Sequence, residues 1–265
     1  MKRMNKIFLI LLITGLTICF HTFKAQAVEL IEFKDFFKDY SGTFVLYSIS
    51  EDVYVIYNKD RAEKRLSPCS TFKIFNSLVG LEAGVIKDEK FVIKWDKKTY
   101  DIESWNRDHT LKSAIANSVV WYYQELARRV GEEKMKAFID KVNYGNKDMS
   151  GGIDKFWLRN SLKISAMEEV GFLKKLILYD LPFSKRNIDI VKNIIILDKK
   201  DTYILRGKTG SGMENGKGVL GWFVGYVERG NKTYIFATNI EASDNASGIK
   251  AKKITLEILK KLKII

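Results

Sequence analysis

STFKIFNSLVGLEAG, residues 70–84, decides how this chain of 265 residues folds. Ile74, Leu78 and Leu81 recur at helical spacing on one face, and Gly84 stands just past the last periodic position, so a helix over 70–83 is expected. Ser70 and Lys73 lie one turn apart at its start, on the same face. A hydroxyl at a helix N-terminus sits where the helix dipole favours developing negative charge. A lysine one turn later is placed to take the hydroxyl proton if it is neutral or modified. S-x-x-K alone is a weak signal, since Ser247-Gly248-Ile249-Lys250 repeats it. Its weight depends on the residues further along the chain.

Lys208-Thr209-Gly210 supplies that weight, led in by a strand-like run from Thr202 to Arg206. Lys208 and Thr209 offer a cation and a hydroxyl to a substrate carboxylate, and Gly210 lets that group approach the backbone. S-x-x-K with a later K-T-G is a signature of serine acyl transfer. Between them Ser118-Val119-Val120 begins a helical segment. Ser118 reads either as an ordinary N-cap or as a hydroxyl that shuttles a proton to a leaving nitrogen, with Val120 pressing an apolar group toward Lys73. Ser243-Asp244-Asn245 comes after the K-T-G strand and is set aside. Histidine is limited to His21 and His109, which argues against a multi-histidine zinc site and against a Ser-His-Asp scheme. No metal is expected, and lysine is the base to look for.

Strand signals cluster at both ends of the chain. Gly42–Ser50 and Val53–Tyr57 read as a hairpin around Glu51-Asp52. Gly221–Val227 and Thr233–Ile240 read as another around Arg229-Gly230-Asn231, and Ile249–Leu262 as a closing helix. The stretch from Leu111 to Leu178 is mostly helical in pattern, with segments at Ser118–Arg129, Glu132–Val142 and Ile164–Tyr179, the last with Ser165 near its cap. The expected fold is α/β in the α+β sense: one central antiparallel sheet built from both chain ends, flanked by helices, with an inserted helical lobe. No linker divides it.

Lys2, Arg3 and Lys6 precede an apolar run from Ile7 to Phe20, and Ala25-Gln26-Ala27 is a small-x-small site. This pattern is that of a secretory signal peptide over 1–27, leaving residues 28–265 as a single catalytic domain that is exported, secreted or held at the cell envelope. Beyond the segment only Cys69 remains, so no internal disulfide is expected, and Cys69 reads as a small buried filler. The net charge is +13. An exported chain seldom meets nucleic acid, and none is expected as a partner. Lys250, Lys252, Lys253, Lys260, Lys261 and Lys263 read as a solvated helix face, with weak attraction to anionic wall or membrane surfaces as the sharper alternative. Nothing in the sequence sets an oligomeric state.

Five ordered motifs, STFK at 70–73, SVV at 118–120, YGN at 144–146, FWL at 156–158 and KTG at 208–210, together resemble class D (OXA-type) β-lactamases, as does Gly221-Trp222-Phe223-Val224-Gly225. Glu103-Ser104-Trp105-Asn106-Arg107-Asp108-His109 looks like members from Gram-positive hosts. The likeness runs from Gly42 to the C-terminus. It implies a small-molecule β-lactam substrate and an acyl-enzyme on Ser70. It further implies a Lys73 N-carboxylated by carbon dioxide as general base, with no other cofactor, and Trp157 donating its indole N–H to that carbamate. Phe72, Val120 and Leu158 would keep the pocket apolar, the backbone N–H groups of Ser70 and Ser211 would form an oxyanion hole, and Lys208 and Thr209 would hold the substrate carboxylate. Ser211 stands where many relatives carry an aromatic residue. Lys250 stands for the family's arginine on the last helix, and a lysine cannot make the same bidentate clamp. Two rivals share the acylation step, a penicillin-binding transpeptidase and a β-lactam sensor domain that barely deacylates. The extra domains of the first and the membrane helices of the second are not seen in this sequence, so a hydrolase is expected.

Overall fold

The computed structural model describes residues 26–29 and 31–265, with side chains from Phe33 onward. The expected signal segment lies outside these residues except for Gln26 and Ala27. No helix among the described residues is long and apolar enough to cross a membrane.

The centre of the molecule is a seven-stranded sheet. Its first strands are β1 (Gln26–Glu29), β2 (Ser41–Ser48) and β3 (Val53–Tyr57), and its last are β6 (Ile196–Lys199), β7 (Ile204–Glu214), β8 (Lys217–Arg229) and β9 (Lys232–Glu241). Their order in space is β1-β3-β2-β9-β8-β7-β6, so the two chain ends meet where β2 pairs antiparallel with β9, Phe44 opposite Thr238. One edge departs from the expected antiparallel pattern, because β1 runs parallel to β3. A second, two-stranded sheet of β4 (Val92–Ile93) and β5 (His109–Thr110) adds to the expected fold.

Alternation along the strands separates two cores, as a period of two requires. On β8, Trp222, Val224 and Tyr226 face one core, while Phe223 and Val227 face the other. The smaller core lies under α8 (Gly248–Lys261) and a 3-10 turn at Ile31–Phe37. The larger lies under the helical lobe: α1 (Lys59–Glu63), α2 (Lys73–Glu82), α3 (Leu111–Ala116), α4 (Val120–Val130), α5 (Glu132–Val142), α6 (Ala166–Ile177) and α7 (Lys185–Ile194). A loop over 143–165 interrupts the expected run of helices and carries the YGN and FWL segments.

The helix expected over 70–83 differs in two ways. Residues Cys69–Phe72 form a 3-10 turn, and α2 begins only at Lys73. From Lys73 through Leu81, α2 is also buried on every side rather than on one face. A helix enclosed all round must satisfy its polar groups internally. Ser77 Oγ accordingly meets the Lys73 carbonyl at 2.7 Å and the Tyr123 hydroxyl at 2.9 Å, and Asn76 donates to the Tyr123 carbonyl, although its own amide oxygen finds no partner among the described residues.

Candidate active site

In a 3-10 turn, side chains three residues apart eclipse. The turn at Cys69–Phe72 therefore brings Lys73 directly over Ser70, with Nζ 2.6 Å from Ser70 Oγ. Ser70 is partly open to solvent, while Lys73 is completely buried. Burial, with the positive charge of Lys208 nearby, holds the Lys73 amine well below the usual lysine range. A neutral amine at this distance has a lone pair with which to accept the hydroxyl proton. Tyr123, whose ring centroid is 5.4 Å from Nζ, covers another side of the amine.

Cys69, next to the serine, has a left-handed backbone (φ 50°) and a buried thiol pushed up to about 11 by desolvation. It is therefore an inert filler rather than a reactive thiolate. Phe72 stacks on Trp157 at 5.3 Å between ring centroids and meets Phe156 and Tyr144 edge-on. Trp157 is fully buried and its indole N–H has no hydrogen-bond partner among the described residues. Leu158 is partly buried against the same core.

K-T-G comes to the serine by backbone packing. A Cβ added at Gly210 would lie 2.8 Å from the Pro68 carbonyl oxygen and 3.2 Å from the Ser70 nitrogen. The glycine at this position is thus needed for β7 to touch the nucleophile turn, a reason internal to the fold. Lys208 is buried beside it, its amine lowered to about 7 by desolvation and then by the charge of Lys252. Its Nζ donates to the Thr209 carbonyl at 3.0 Å. Ser211 Oγ accepts from the Gly248 backbone N–H at 2.9 Å, which ties β7 to the start of α8.

Ser118 is not the helix cap that one of its two readings suggested. Val119 occupies the cap position and α4 starts at Val120. Ser118 instead closes the end of α3 in the left-handed region (φ 54°), a conformation that costs a non-glycine residue of order 1–3 kcal/mol and tends to mark functional positions. Val120, half-buried, lies one turn before Tyr123 and so on the side of α4 that faces Lys73.

Lys250 stands apart from this cluster. It lines a surface groove with Asp35, Lys38, Tyr40 and Glu257 on the far side of α8. Lys252 is the cation of that helix whose charge reaches Lys208. Ser247 caps α8 by accepting from the Lys250 N–H, which disposes of the second S-x-x-K. His109 is buried between Ser113 and the Ser104 carbonyl, 3.0 and 2.8 Å from its two ring nitrogens.

Three residues of the site carried no motif. Ser67 Oγ donates to the Trp157 carbonyl at 3.0 Å and accepts from the Arg159 N–H at 2.8 Å, while its carbonyl accepts from the Trp222 indole at 2.9 Å. Tyr123 of α4 and Glu169 of α6 are both buried, the first against the Lys73 amine and the second against the Thr71 hydroxyl. Tyr123 falls within the expected helix Ser118–Arg129, yet nothing in its spacing marks it as more than core.

A penicillin-binding protein transpeptidase domain model matches residues 40–260. A probable β-lactamase, YbxI of Bacillus subtilis, is 47% identical over 90% of this chain and 87% of that protein. The solved class D β-lactamase BAT-2 superposes with a TM-score of 0.84 at 48% identity, over 88% of this chain and 96% of that one. The C-terminal domain of the Bacillus licheniformis BlaR penicillin-receptor superposes at 0.86 with 37% identity, over 90% and 97%. With Ser70 and the enclosed Lys73 braced by the K-T-G strand, and with these relatives, the chain belongs to the class D β-lactamase family.

Proposed function

We propose that the protein is an exported serine β-lactamase that opens the β-lactam amide through an acyl-enzyme on Ser70. The observation that carries this reading is the enclosed Lys73 amine, 2.6 Å from Ser70 Oγ and held below its ordinary protonation range. In acylation Ser70 Oγ bonds to the lactam carbonyl carbon, its proton leaves toward Lys73, and the C–N bond breaks as Ser118 delivers a proton to the departing nitrogen. The backbone N–H groups of Ser70 and Ser211 stabilise the oxyanion. Lys208 and Thr209 hold the substrate carboxylate, and Phe72, Val120 and Leu158 keep the pocket apolar around the amine.

The pocket also suits a carboxylated lysine. A neutral amine adds carbon dioxide readily, and the Trp157 indole N–H is a buried donor without an acceptor among the described residues. As a carbamate, the Lys73 head would supply an anionic general base. Lys73 and Trp157 are the residues that would hold it, and no other cofactor is invoked.

The test is mass measurement during reaction with a penicillin. The expected result is one adduct of full penicillin mass on Ser70, absent in Ser70→Ala, with many turnovers. Labelling on Cys69 or Ser247 would sink the nucleophile assignment. The resemblance to the BlaR receptor domain keeps the sensor reading in play, and a single burst ending in a stable acyl-enzyme under ample bicarbonate would favour it.

A further inference from the structure

Beneath the nucleophile turn lies a buried carboxyl that the proposed acylation leaves unused. Glu169, on the first turn of α6, is 1% exposed. Its Oε1 lies 2.7 Å from Thr71 Oγ1 and accepts from the Tyr144 hydroxyl at 3.3 Å. Thr71 is the second residue of STFK, and its Oγ1 also lies 2.9 Å from the Pro68 carbonyl oxygen.

These contacts can be counted by their protons. A threonine hydroxyl owns one proton, and a carbonyl oxygen only accepts. If Glu169 were ionised it too would only accept, so the Thr71 hydroxyl could serve only one of its two partners: either the carboxylate faces Oγ1 at 2.7 Å with no proton between them, or the Pro68 carbonyl keeps the Thr71 backbone N–H alone. A proton on Glu169 resolves the conflict. The acid donates to Thr71 Oγ1, Thr71 donates to the Pro68 carbonyl, and Tyr144 donates to Glu169. Each contact then has one proton. We propose that Glu169 acts as a neutral carboxylic acid and is a positioning residue, holding the Pro68–Phe72 turn, and with it Ser70, through Thr71.

The surroundings agree. Burial raises the Glu169 carboxyl to about 7; the two hydroxyls pull the other way, and the neighbouring Glu168 adds to the rise. Three cations of the adjoining elements are engaged elsewhere, while Lys175 of α6 lines the surface groove that Tyr144 and Glu168 share. Arg65 pairs with Glu168, Arg61 of α1 with Asn239 and Glu241, and Lys174 of α6 with the Tyr47 hydroxyl. Ionisation would draw the Thr71 proton to the carboxylate and leave the Pro68 carbonyl with only the Thr71 backbone N–H at 3.2 Å. This fixes the sign of the pH effect. Between the ordinary 4.5 and about 7 the folded protein keeps a proton that the unfolded chain has released, so this group's support of the fold falls as pH rises through that window and is level above it.

Glu169→Gln tests this, because its amide donates permanently. Three readouts apply to the full protein: the carbon-13 carboxyl titration of Glu169, assigned by its disappearance in the variant; the melting temperature of variant minus wild type against pH; and the ratio of their acylation rates against pH. A ratio cancels the titrations of Lys73 and Lys208, which both proteins share. We expect a carboxyl midpoint near 7, a melting difference that climbs from pH 4.5 to 7 and then levels, and a rate ratio that rises across neutrality. In Thr71→Val, which removes the relay, Glu169→Gln should no longer change the pH dependence of acylation. A carboxyl titrating near 4.5 overturns the neutral acid. A midpoint near 7 with a flat rate ratio overturns the positioning role. The kinetic readout rests on Ser70 being the acylated residue; the titration and melting readouts involve no β-lactam, so the two failures are distinct. If Glu169→Gln does not fold, the wild-type carboxyl titration, assigned instead by through-bond correlation along the Glu169 side chain, and the Thr71→Val acylation profile decide the question.

Discussion

Lys208 is pulled in two directions. Its task in the proposed reaction requires a positive charge, yet burial and the like charge of Lys252 bring its amine down to about 7. Substrate carboxylate affinity should therefore weaken as pH rises through neutrality, appearing as a rise in KM. Lys252→Gln removes a repulsion, so the Lys208 titration should move to higher pH and carry the alkaline rise in KM with it. An unmoved limb in steady-state profiles would detach Lys252 from substrate binding. Trp157 makes the complementary case. A buried N–H without a partner costs about 1–3 kcal/mol, so Trp157→Phe, which keeps the stack on Phe72, should melt no lower than wild type when bicarbonate is withheld. With bicarbonate present the same variant should deacylate more slowly and lose any carbon-13 carbamate signal at Lys73. A variant that loses stability and keeps full turnover would mean the indole serves packing alone.

At the scale of elements, the contact between β7 and the nucleophile turn is the one the site can least do without. A methyl at Gly210 meets backbone, the Pro68 carbonyl at 2.8 Å, and backbone cannot rotate away. Gly210→Ala should cost about 1–3 kcal/mol and reduce acylation far more than melting, measured by burst kinetics and thermal denaturation. Equal, small effects would show that the strand has slack. Much of this architecture was legible because its causes are local: the hairpin turning at Glu51-Asp52, the helix with Ser165 at its cap, and the closing helix expected over Ile249–Leu262. What stayed hidden depends on tertiary packing. The 3-10 turn at Cys69–Phe72 has the same residue pattern as a first α-helical turn. Glu169 reads as one more acid favoured at a helix start. Lys250 and Lys252 are equally lysines in sequence, and only the phase of α8 against the sheet sends one toward Lys208 and the other toward Asp35.

Across the whole molecule, the site joins parts that are distant in sequence. Ser70 and Lys73 come from the start of the helical lobe, K-T-G from a strand of the late half of the sheet, and Trp157 from the loop between α5 and α6. Ser67 is the point where these are fastened. Its carbonyl holds the Trp222 indole of β8, its backbone follows Leu66, which bridges to Ile164, and its hydroxyl joins the Trp157 carbonyl to the Arg159 N–H. Ser67→Ala keeps the backbone links and removes only the hydroxyl. It leaves one acceptor and one donor without their partner, at about 1–3 kcal/mol for each that is fully shut off from water. For a chain of this size, 1 kcal/mol corresponds to roughly 2–4 °C in Tm, so a fall of several degrees is expected. The Ser70–Lys73 pair does not pass through this hydroxyl, whereas the placement of Trp157 does. Acylation should therefore hold up better than deacylation, and the acyl-enzyme should accumulate during turnover in mass spectra of the reacting variant. If Tm falls while both steps slow together, Ser67 supports the fold as a whole and not the loop that carries Trp157.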